Sequence, residues 1–162
     1  MASRRQLNEL LGVCAAGALI RCGARKPGPS GRGLLTTYEF GELMKTVAHG
    51  WNSNDARLAA DRFTEDAIYS APPDTRIRRG RKTLFEFFGG PQGRPRPMRM
   101  TWHHLAFDEN SQIGFGEYTF TYDLRTHGIV IVRIAGGHIA NWREYEHASA
   151  LEWEQMVSDN RF

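Results

Sequence analysis

The chain has 162 residues, of which 41% are hydrophobic and 11% aromatic, and its formal net charge is +3 at pH 7. This composition is typical of one globular domain, and no apolar run approaches the length that a membrane span needs. Both cysteines, Cys14 and Cys22, lie near the N-terminus, so the chain beyond them has neither a disulfide framework nor a thiolate metal site.

The charge is distributed unevenly along the chain. Residues 1–33 contain six Lys/Arg and one acidic residue, whereas residues 34–162 contain fifteen basic and seventeen acidic residues and have a net charge of −2. A nucleic-acid-binding domain is expected to carry a basic face. The near-neutral body therefore predicts no nucleic-acid partner.

Residues 1–33 form a basic leader that ends in a linker. Arg4 and Arg5 precede a short apolar run, and small residues follow it, which is the order of an export signal. The stretch "SRRQL" also resembles the start of a twin-arginine signal. Two alternatives stay open: a signal that exports the protein, or, for a cytoplasmic protein, a disordered or partly helical basic extension or a misassigned start. "RKPGPSGRG" reads as a flexible linker to a domain at 34–162.

The domain begins with predicted helices. Thr36 and Glu39 have the spacing of a capping box, and apolar residues follow at helical spacing: Phe40, Leu43, Met44, Val47 and Trp51. Asn54 or Asp55 can cap a second helix, whose apolar face would carry Leu58, Ala59 and Phe63. "AIYSA" then predicts a strand, "GRKTLFEFFGG" a short helix, and "GGPQGRPRP" a loop.

The rest of the domain is predicted to be a β-meander. Four strand-like segments follow one another closely, separated by turns such as "DENSQ" and "AGG": "MRMTWHHLAF", "GFGEYTFTYDL", "HGIVIVRIAG" and "HIANWREYEH". A short C-terminal helix would carry Ala150, Trp153 and Val157 on one face. Helices followed by a meander indicate an α+β fold in which helices pack on one face of a curved sheet around a pocket.

Three stretches resemble the SnoaL-like group of the nuclear-transport-factor-two-like superfamily: "GWNSNDARLAADRFTEDAIYSAPPD", "RGRKTLFEFF" and "GGHIANWREYEHASALEWEQ". The resemblance implies a cone, formed by a strongly bent antiparallel or mixed sheet around about three helices, with a deep pocket. It also implies a homodimer through the outer sheet face. Because this fold carries many activities, the resemblance by itself implies no single reaction.

The limonene-epoxide hydrolases of this superfamily allow a comparison residue by residue. Their "WRDY" carries a water-activating aspartate, and the similar "WREY" here puts Glu144 at that position, while Tyr69 matches a water-orienting tyrosine. Their Arg-x-Asp has no counterpart in "GEYTFTY". Ala71 stands where ketosteroid isomerases have an aspartate base. The resemblance therefore implies Glu144 and Tyr69 as site residues without carrying over either reaction.

Glu144 is also the strongest candidate from strand geometry. Residues two apart share one face of a strand, so Trp142 and Glu144 point the same way, and an apolar setting would raise the carboxyl pKa toward neutrality. His103 and His104 are predicted to face opposite sides of their strand, and Trp102 to share a face with His104. We therefore expect one of three histidines to pair with Glu144 in general acid–base catalysis: His103, His104 or His127. The competing interpretation is an ion pair of Glu144 with Arg133 or Arg143.

Further candidates concern ligand binding. The side chains expected to contact an apolar ligand are Trp51, Trp102, Glu117, Tyr118, Phe120, Arg133 and Trp142. No residue set has metal-ligand spacing, and no cofactor is expected. "RIRRGRK", together with Arg94, Arg96 and Arg99, forms a basic cluster that fits either an anionic partner or a solvated face; the solvated face is the simpler interpretation.

These observations predict a cofactor-free enzyme that acts on an apolar substrate as a hydrolase, isomerase or cyclase. The alternative is a non-catalytic domain that binds a small ligand or forms a dimer scaffold. A third interpretation is a structural role in a larger assembly, attached through the basic leader.

Overall fold

The computed structural model describes residues 33–160. The predicted leader therefore lies outside the described residues, apart from Gly33. No helix within residues 33–160 is long and apolar enough to span a membrane.

The described residues form helices packed against one sheet, as the α+β prediction required. The helices are α1 (Thr37–Asn52), α2 (Ala56–Ala60), α3 (Arg81–Phe88) and α4 (Trp153–Met156), with a 3-10 turn at Gly90–Gln92. The strands are β1 (Phe63–Ser70), β2 (Ile77–Arg79), β3 (Arg99–Asp108), β4 (Ile113–Thr121), β5 (Arg125–Ala135) and β6 (His138–Ala148).

The six strands form one curved, unclosed sheet in the order β2-β1-β6-β5-β4-β3. β3 to β6 are the predicted antiparallel meander, whereas β1 lies parallel to β6. The parallel pairing brings the beginning of the domain next to its end, because Tyr69 and Trp142 are register partners. The sheet is therefore mixed, and its two central strands are β6 and β5.

The starts of α1 and α2 follow the local sequence closely. The capping box at α1 is present in both directions: the Glu39 amide donates to the Thr36 hydroxyl at 3.3 Å, and the Thr36 amide donates to the Glu39 carboxylate at 2.8 Å. Of the two candidate caps for α2, Asp55 is the one used, since its carboxylate accepts the Leu58 amide at 2.8 Å. Such caps satisfy amides that have no partner within the helix.

Two details of the predicted elements were wrong. Phe63 does not extend the face of α2 but begins β1, where it is fully buried. β1 is thus longer than "AIYSA", and β2 forms within the basic stretch, paired antiparallel with β1. In both cases pairing with a distant or neighbouring strand overrides a weak local preference.

The core lies between the concave face of the sheet and the helices. α1 approaches the sheet closely because β4 has glycine at 114: a Cβ there would lie 2.2 Å from the Phe40 ring. The Phe40 ring stacks on Phe107 of β3 with centroids 4.4 Å apart. This packing holds the N-terminal part of α1 against β3 and β4.

Candidate functional site

A cavity of about 210 Å³ opens between the helices and the concave face of the sheet. It is smaller than the roughly 300–1,000 Å³ typical of sites for drug-sized ligands. Its apolar wall consists of Trp51, Phe87, Phe88, Met98, Met100 and Phe120, and its polar lining consists of Tyr69, Arg94, Tyr118, Tyr122, Glu144 and Glu146. The cavity therefore suits a small, largely apolar molecule with few polar groups.

Glu144 lies at the buried end of this lining, with only 8% of its surface exposed. Its Oε1 accepts a hydrogen bond from the Tyr69 hydroxyl at 2.5 Å, and its Oε2 accepts one from the Trp142 indole at 2.7 Å. The Tyr118 hydroxyl is a weaker donor to Oε2 at 3.4 Å. Three neutral donors from three strands thus hold one carboxyl group in a fixed orientation.

The strand pairing explains how these donors converge. Trp142 precedes Glu144 by two residues on β6 and faces the same way. Tyr69 reaches Glu144 from the neighbouring β1, and its ring stacks on Trp142 with centroids 5.8 Å apart and an interplanar angle of 7°. Tyr118 comes from β4 and fits because β5 has glycine at 128, where a Cβ would lie 2.8 Å from the Tyr118 hydroxyl.

Burial raises the pKa of Glu144 to about 7, even though the hydrogen bonds from Tyr69, Trp142 and Tyr118 favour the ionised form and act in the opposite direction. Burial, together with the adjacent Glu144 charge, raises the pKa of Tyr69 well above its ordinary value, and the same causes raise the pKa of Tyr118. Both tyrosines therefore stay neutral donors. Near neutral pH the carboxyl group exists in comparable amounts with and without its proton, which suits it for both accepting and returning one.

The structure brings part of the predicted set together. Tyr69, Trp51, Tyr118, Phe120 and Glu144 all line the cavity. Trp142 lies behind Glu144 as its hydrogen-bond donor. Trp102 packs on Tyr118 and Trp142, with ring centroids 5.7 and 6.2 Å away, and its indole nitrogen donates to the Met44 carbonyl oxygen of α1.

The expected partnership of Glu144 with a histidine is not formed. His103 and His127 both contact the Thr119 hydroxyl, at 2.7 and 2.9 Å, and Thr119 points away from the cavity that its neighbours Tyr118 and Phe120 line. His127 is buried there because the segment before α4 covers it, and its Nε2 lies 3.0 Å from the Leu151 carbonyl oxygen.

The prediction that His103 and His104 face opposite sides was wrong. A β-bulge shifts the register between Trp102 and His104, and a bulge places two successive residues opposite one residue of the partner strand. His104 consequently contacts Glu117 at 2.7 Å on the same outer face on which His103 contacts Thr119. Trp102 and His104 therefore do not share a face.

Two predicted ligand-binding residues also point outward. Glu117 contacts His104 rather than the cavity. Arg133 is exposed and donates to the Asn141 side chain at 2.7 Å, so it lies on the outer face of the sheet. The ion pair of Glu144 with Arg133 or Arg143 is not formed either, because tyrosine and tryptophan donors occupy the carboxylate.

Several cavity residues were not singled out as site residues from the sequence: Phe87, Phe88, Arg94, Met98, Met100, Tyr122 and Glu146. Two of them carried a signal. Tyr122 follows Tyr118 and Phe120 at the two-residue spacing of one strand face, and Glu146 follows Glu144 in the same way. The others lie on α3, in the Pro/Gly-rich loop and the residue after it, and at the start of β3. Their positions around the cavity depend on tertiary packing. No group of three or more His, Cys, Asp or Glu within residues 33–160 is arranged to hold a metal ion.

Comparison with known proteins agrees with this architecture. The family model of the SnoaL-like domain matches residues 45–142, more than half of the chain. A similar solved structure is an NTF2-like protein of unknown function from Burkholderia xenovorans LB400, with 16% identity over 77% of this chain and 97% of that one and a TM-score of 0.60. No curated protein matches the chain.

Two further similar structures have activities in their descriptions. One is described as a ketosteroid isomerase, from Kribbella flavida DSM 17836, with 20% identity over 72% of this chain and 82% of that one and a TM-score of 0.58. The other is an LEH-like epoxide hydrolase from M. tuberculosis, with 18% identity over 68% of this chain and 84% of that one and a TM-score of 0.57. At these identities the likeness establishes the fold alone.

Proposed function

Because the chain belongs to the SnoaL-like domain family, we propose that it is an enzyme that carries out general acid–base chemistry on a small apolar molecule in the cavity. Proteins of similar fold are described as an isomerase and as an epoxide hydrolase, and the proposed reaction is of the hydrolase, isomerase or cyclase type. The observation that carries the proposal is a buried carboxyl group with a pKa of about 7 at the end of an apolar cavity.

Glu144 is the proposed proton-transfer group. Its ionised form accepts a proton from a carbon next to a carbonyl group, or from a water molecule that attacks the substrate. The neutral carboxyl group then returns the proton to another atom of the same substrate. This step regenerates the ionised carboxylate, so no cofactor is required. Tyr69 and Trp142 hold both carboxylate oxygens during this exchange.

No histidine takes part in the proposed step. His103, His104 and His127 contact Thr119 and Glu117 on the outer face, on the other side of the sheet from Glu144. The hydroxyl groups of Tyr69 and Tyr118 make the polar contacts to Glu144 that the sequence led us to expect from a histidine. Since both tyrosines have raised pKa values, they act as hydrogen-bond donors rather than as bases.

The test is exchange of substrate hydrogen with solvent. Small cyclic ketones such as cyclohexanone and 2-indanone are incubated with the protein in D₂O, and deuterium at the carbon beside the carbonyl group is followed by NMR, alongside turnover of small epoxides. Glu144→Gln is expected to lower the rate by about 10²-fold or more, since general base catalysis typically contributes about 10²–10⁴-fold.

The matched control is Glu117→Gln, which makes the same change on the outer face and is expected to leave the rate unchanged. The wild-type rate should also rise with pH through an apparent pKa near 7, the value for Glu144. A Glu144→Gln protein with full activity on a ketone or epoxide that the wild type processes would remove the basis of this proposal. Ligand binding without exchange or turnover would favour the non-catalytic alternative.

We also propose that the outer sheet face forms a homodimer. Three large apolar side chains of adjacent strands are about half exposed there: Phe115 (47%), Ile129 (49%) and Tyr145 (48%). Ile129 and Tyr145 are cross-strand partners, so these side chains form one patch on the face opposite the cavity. Exposed patches of this kind commonly mark protein interfaces. Sedimentation of the wild type and of Ile129→Lys is expected to show a dimer and a monomer, respectively; a monomeric wild type would contradict the proposal.

A further inference from the structure

Three arginines surround two aromatic rings at the edge of the cavity. The Arg78 guanidinium lies 3.7 Å from the centroid of the Phe87 ring, and Arg94 lies 5.5 Å from the same centroid. Arg94 is also 5.1 Å from the Tyr122 ring, over which Arg96 lies at 4.8 Å. Cations and rings thus alternate across this edge, with Arg94 in the middle. Cation–π contacts partly offset the repulsion between the like charges.

Arg94 is the member of this group that lines the cavity. It stands in the Pro/Gly-rich loop, yet its backbone is fixed, because the Asn54 side chain accepts the Arg94 amide at 2.9 Å and donates to the Arg94 carbonyl oxygen at 2.9 Å. Gly93 allows this clamp, since a Cβ there would lie 2.6 Å from the Asn54 amide nitrogen. The backbone of Arg94 is therefore held in place before any ligand arrives.

The hydrogen-bonding capacity of Arg94 is mostly unused. A guanidinium group has five N–H donors, and one of its nitrogens donates to the Phe87 carbonyl oxygen. The buried Nε has no acceptor within residues 33–160, and no salt bridge in this range includes Arg94. Arg96, in contrast, is paired with Asp123 at 2.6 Å. A half-buried cation with unsatisfied donors costs free energy unless an anion completes it.

The two carboxyl groups of the cavity do not take this role. Glu144 is surrounded by Tyr69, Tyr118 and Trp142, and Glu146 accepts the Thr126 hydroxyl at 2.6 Å. Neither lies within ion-pair distance of Arg94. The lining of the cavity thus contains both a cation and a carboxyl group with a pKa near neutrality, and the two do not form an ion pair.

We infer that the ligand of this cavity is a small apolar acid, whose carboxylate binds the Arg94 guanidinium while its hydrocarbon part lies among the aromatic side chains and reaches Glu144. This inference rests on the proposed use of the cavity as the substrate site and specifies the class of substrate. A carboxylate matches the planar guanidinium in a two-point hydrogen bond. The inference also assigns a function to one member of the basic cluster, Arg94, rather than to the cluster as a whole.

The test compares acids with their neutral amides. Benzoate, phenylacetate and 3-phenylpropanoate are each titrated against benzamide, phenylacetamide and 3-phenylpropanamide at pH 7.5, with the full chain, by ligand-observed NMR. At least one acid is expected to bind about tenfold or more tightly than its amide. The reason is that a hydrogen bond to a charged group contributes enough binding free energy to change the dissociation constant by about that factor. Arg94→Gln is expected to abolish the preference for the acid.

Two variants separate recognition from folding. Arg94→Lys keeps the charge but offers no planar pair of donors, so we expect an intermediate preference. Arg99→Gln removes an exposed arginine of β3, between the cavity residues Met98 and Met100 but on the other side of the strand, and should bind like the wild type. Circular dichroism confirms that each variant is folded.

Three outcomes overturn the inference: no acid of the series binds, the acids bind no more tightly than the amides, or Arg94→Gln keeps the preference. Because binding is measured without turnover, these outcomes are independent of the exchange assay on neutral ketones. A failure of acid binding leaves the role of Glu144 in exchange intact, and a failure of exchange leaves acid recognition by Arg94 intact.

Discussion

Replacing Tyr69 by phenylalanine is expected to raise the pKa of Glu144 above its value of about 7. The Tyr69 hydroxyl donates to Oε1 of Glu144 at 2.5 Å, a bond that is stronger to the ionised carboxylate than to the neutral acid. Removing the donor while keeping the ring destabilises the ionised form and leaves the packing on Trp142 in place. The carboxyl group should therefore hold its proton to higher pH.

The size of the effect follows from the strength of this bond. Hydrogen bonds to charged groups contribute about 1.5–3 kcal/mol, and one pH unit of pKa corresponds to about 1.4 kcal/mol. Loss of the Tyr69 donor should then raise the pKa of Glu144 by about one to two pH units. The Trp142 indole at 2.7 Å still donates to the other oxygen, so the carboxylate keeps one close partner.

The assay is a pH titration of protein labelled with ¹³C at the glutamate side-chain carboxyl carbon. The Glu144 signal is identified by its absence in Glu144→Gln, and its shift is followed in the wild type and in Tyr69→Phe. The control is Tyr122→Phe, which removes a hydroxyl from the same cavity lining without removing a donor to Glu144. A Glu144 pKa that is unchanged or lower in Tyr69→Phe would refute the reasoning.

Two further predictions concern stability. The pKa of Glu144 is raised on folding from 4.5 to about 7, so the folded state binds the proton more tightly than the unfolded state. The stabilisation that proton binding contributes is therefore complete below pH 4.5 and is lost as the pH rises through 7. The loss amounts to about 3 kcal/mol. In urea titrations, the free energy of unfolding of Glu144→Gln relative to the wild type should therefore increase by about this amount from pH 4 to pH 8, and a constant difference would contradict the raised pKa. Gly128→Ala should lower the free energy of unfolding by about 1–3 kcal/mol, because the added Cβ would lie 2.8 Å from the Tyr118 hydroxyl and 2.7 Å from the Tyr145 carbonyl oxygen. Its matched control is Gly41→Ala, which meets nothing within 4 Å inside α1 and should stabilise the protein by up to about 1 kcal/mol; equal effects of the two changes would contradict the packing argument.

The local patterns of the sequence predicted the elements well, because they depend on contacts between neighbours in the chain. Thr36 and Glu39 cap α1 as their spacing indicated. The two-residue period of β6 correctly placed Trp142 and Glu144 on one face. These predictions required only the periodicity of a helix or a strand.

The histidines show where such periodicity fails. Alternation along β3 predicted that His103 and His104 point to opposite sides, but one extra residue at the bulge puts both on the outer face. A bulge depends on how two strands are registered against each other. The sequence of β3 alone does not indicate the position of the bulge, because that position depends on the pairing of β3 with β4.

The sequence by itself determined the fold class, the order of the helices and of every strand except β2, and the candidacy of Glu144, because a buried face repeats at fixed spacing along each element. Tertiary structure decided which groups besides Trp142 surround that carboxyl group. Tyr69 reaches it because β1 lies parallel to β6, and Arg94 reaches the cavity because Asn54 holds the loop. These contacts join residues 75 and 40 positions apart in the chain, and a side chain at such a distance is brought into place only when the whole core has packed.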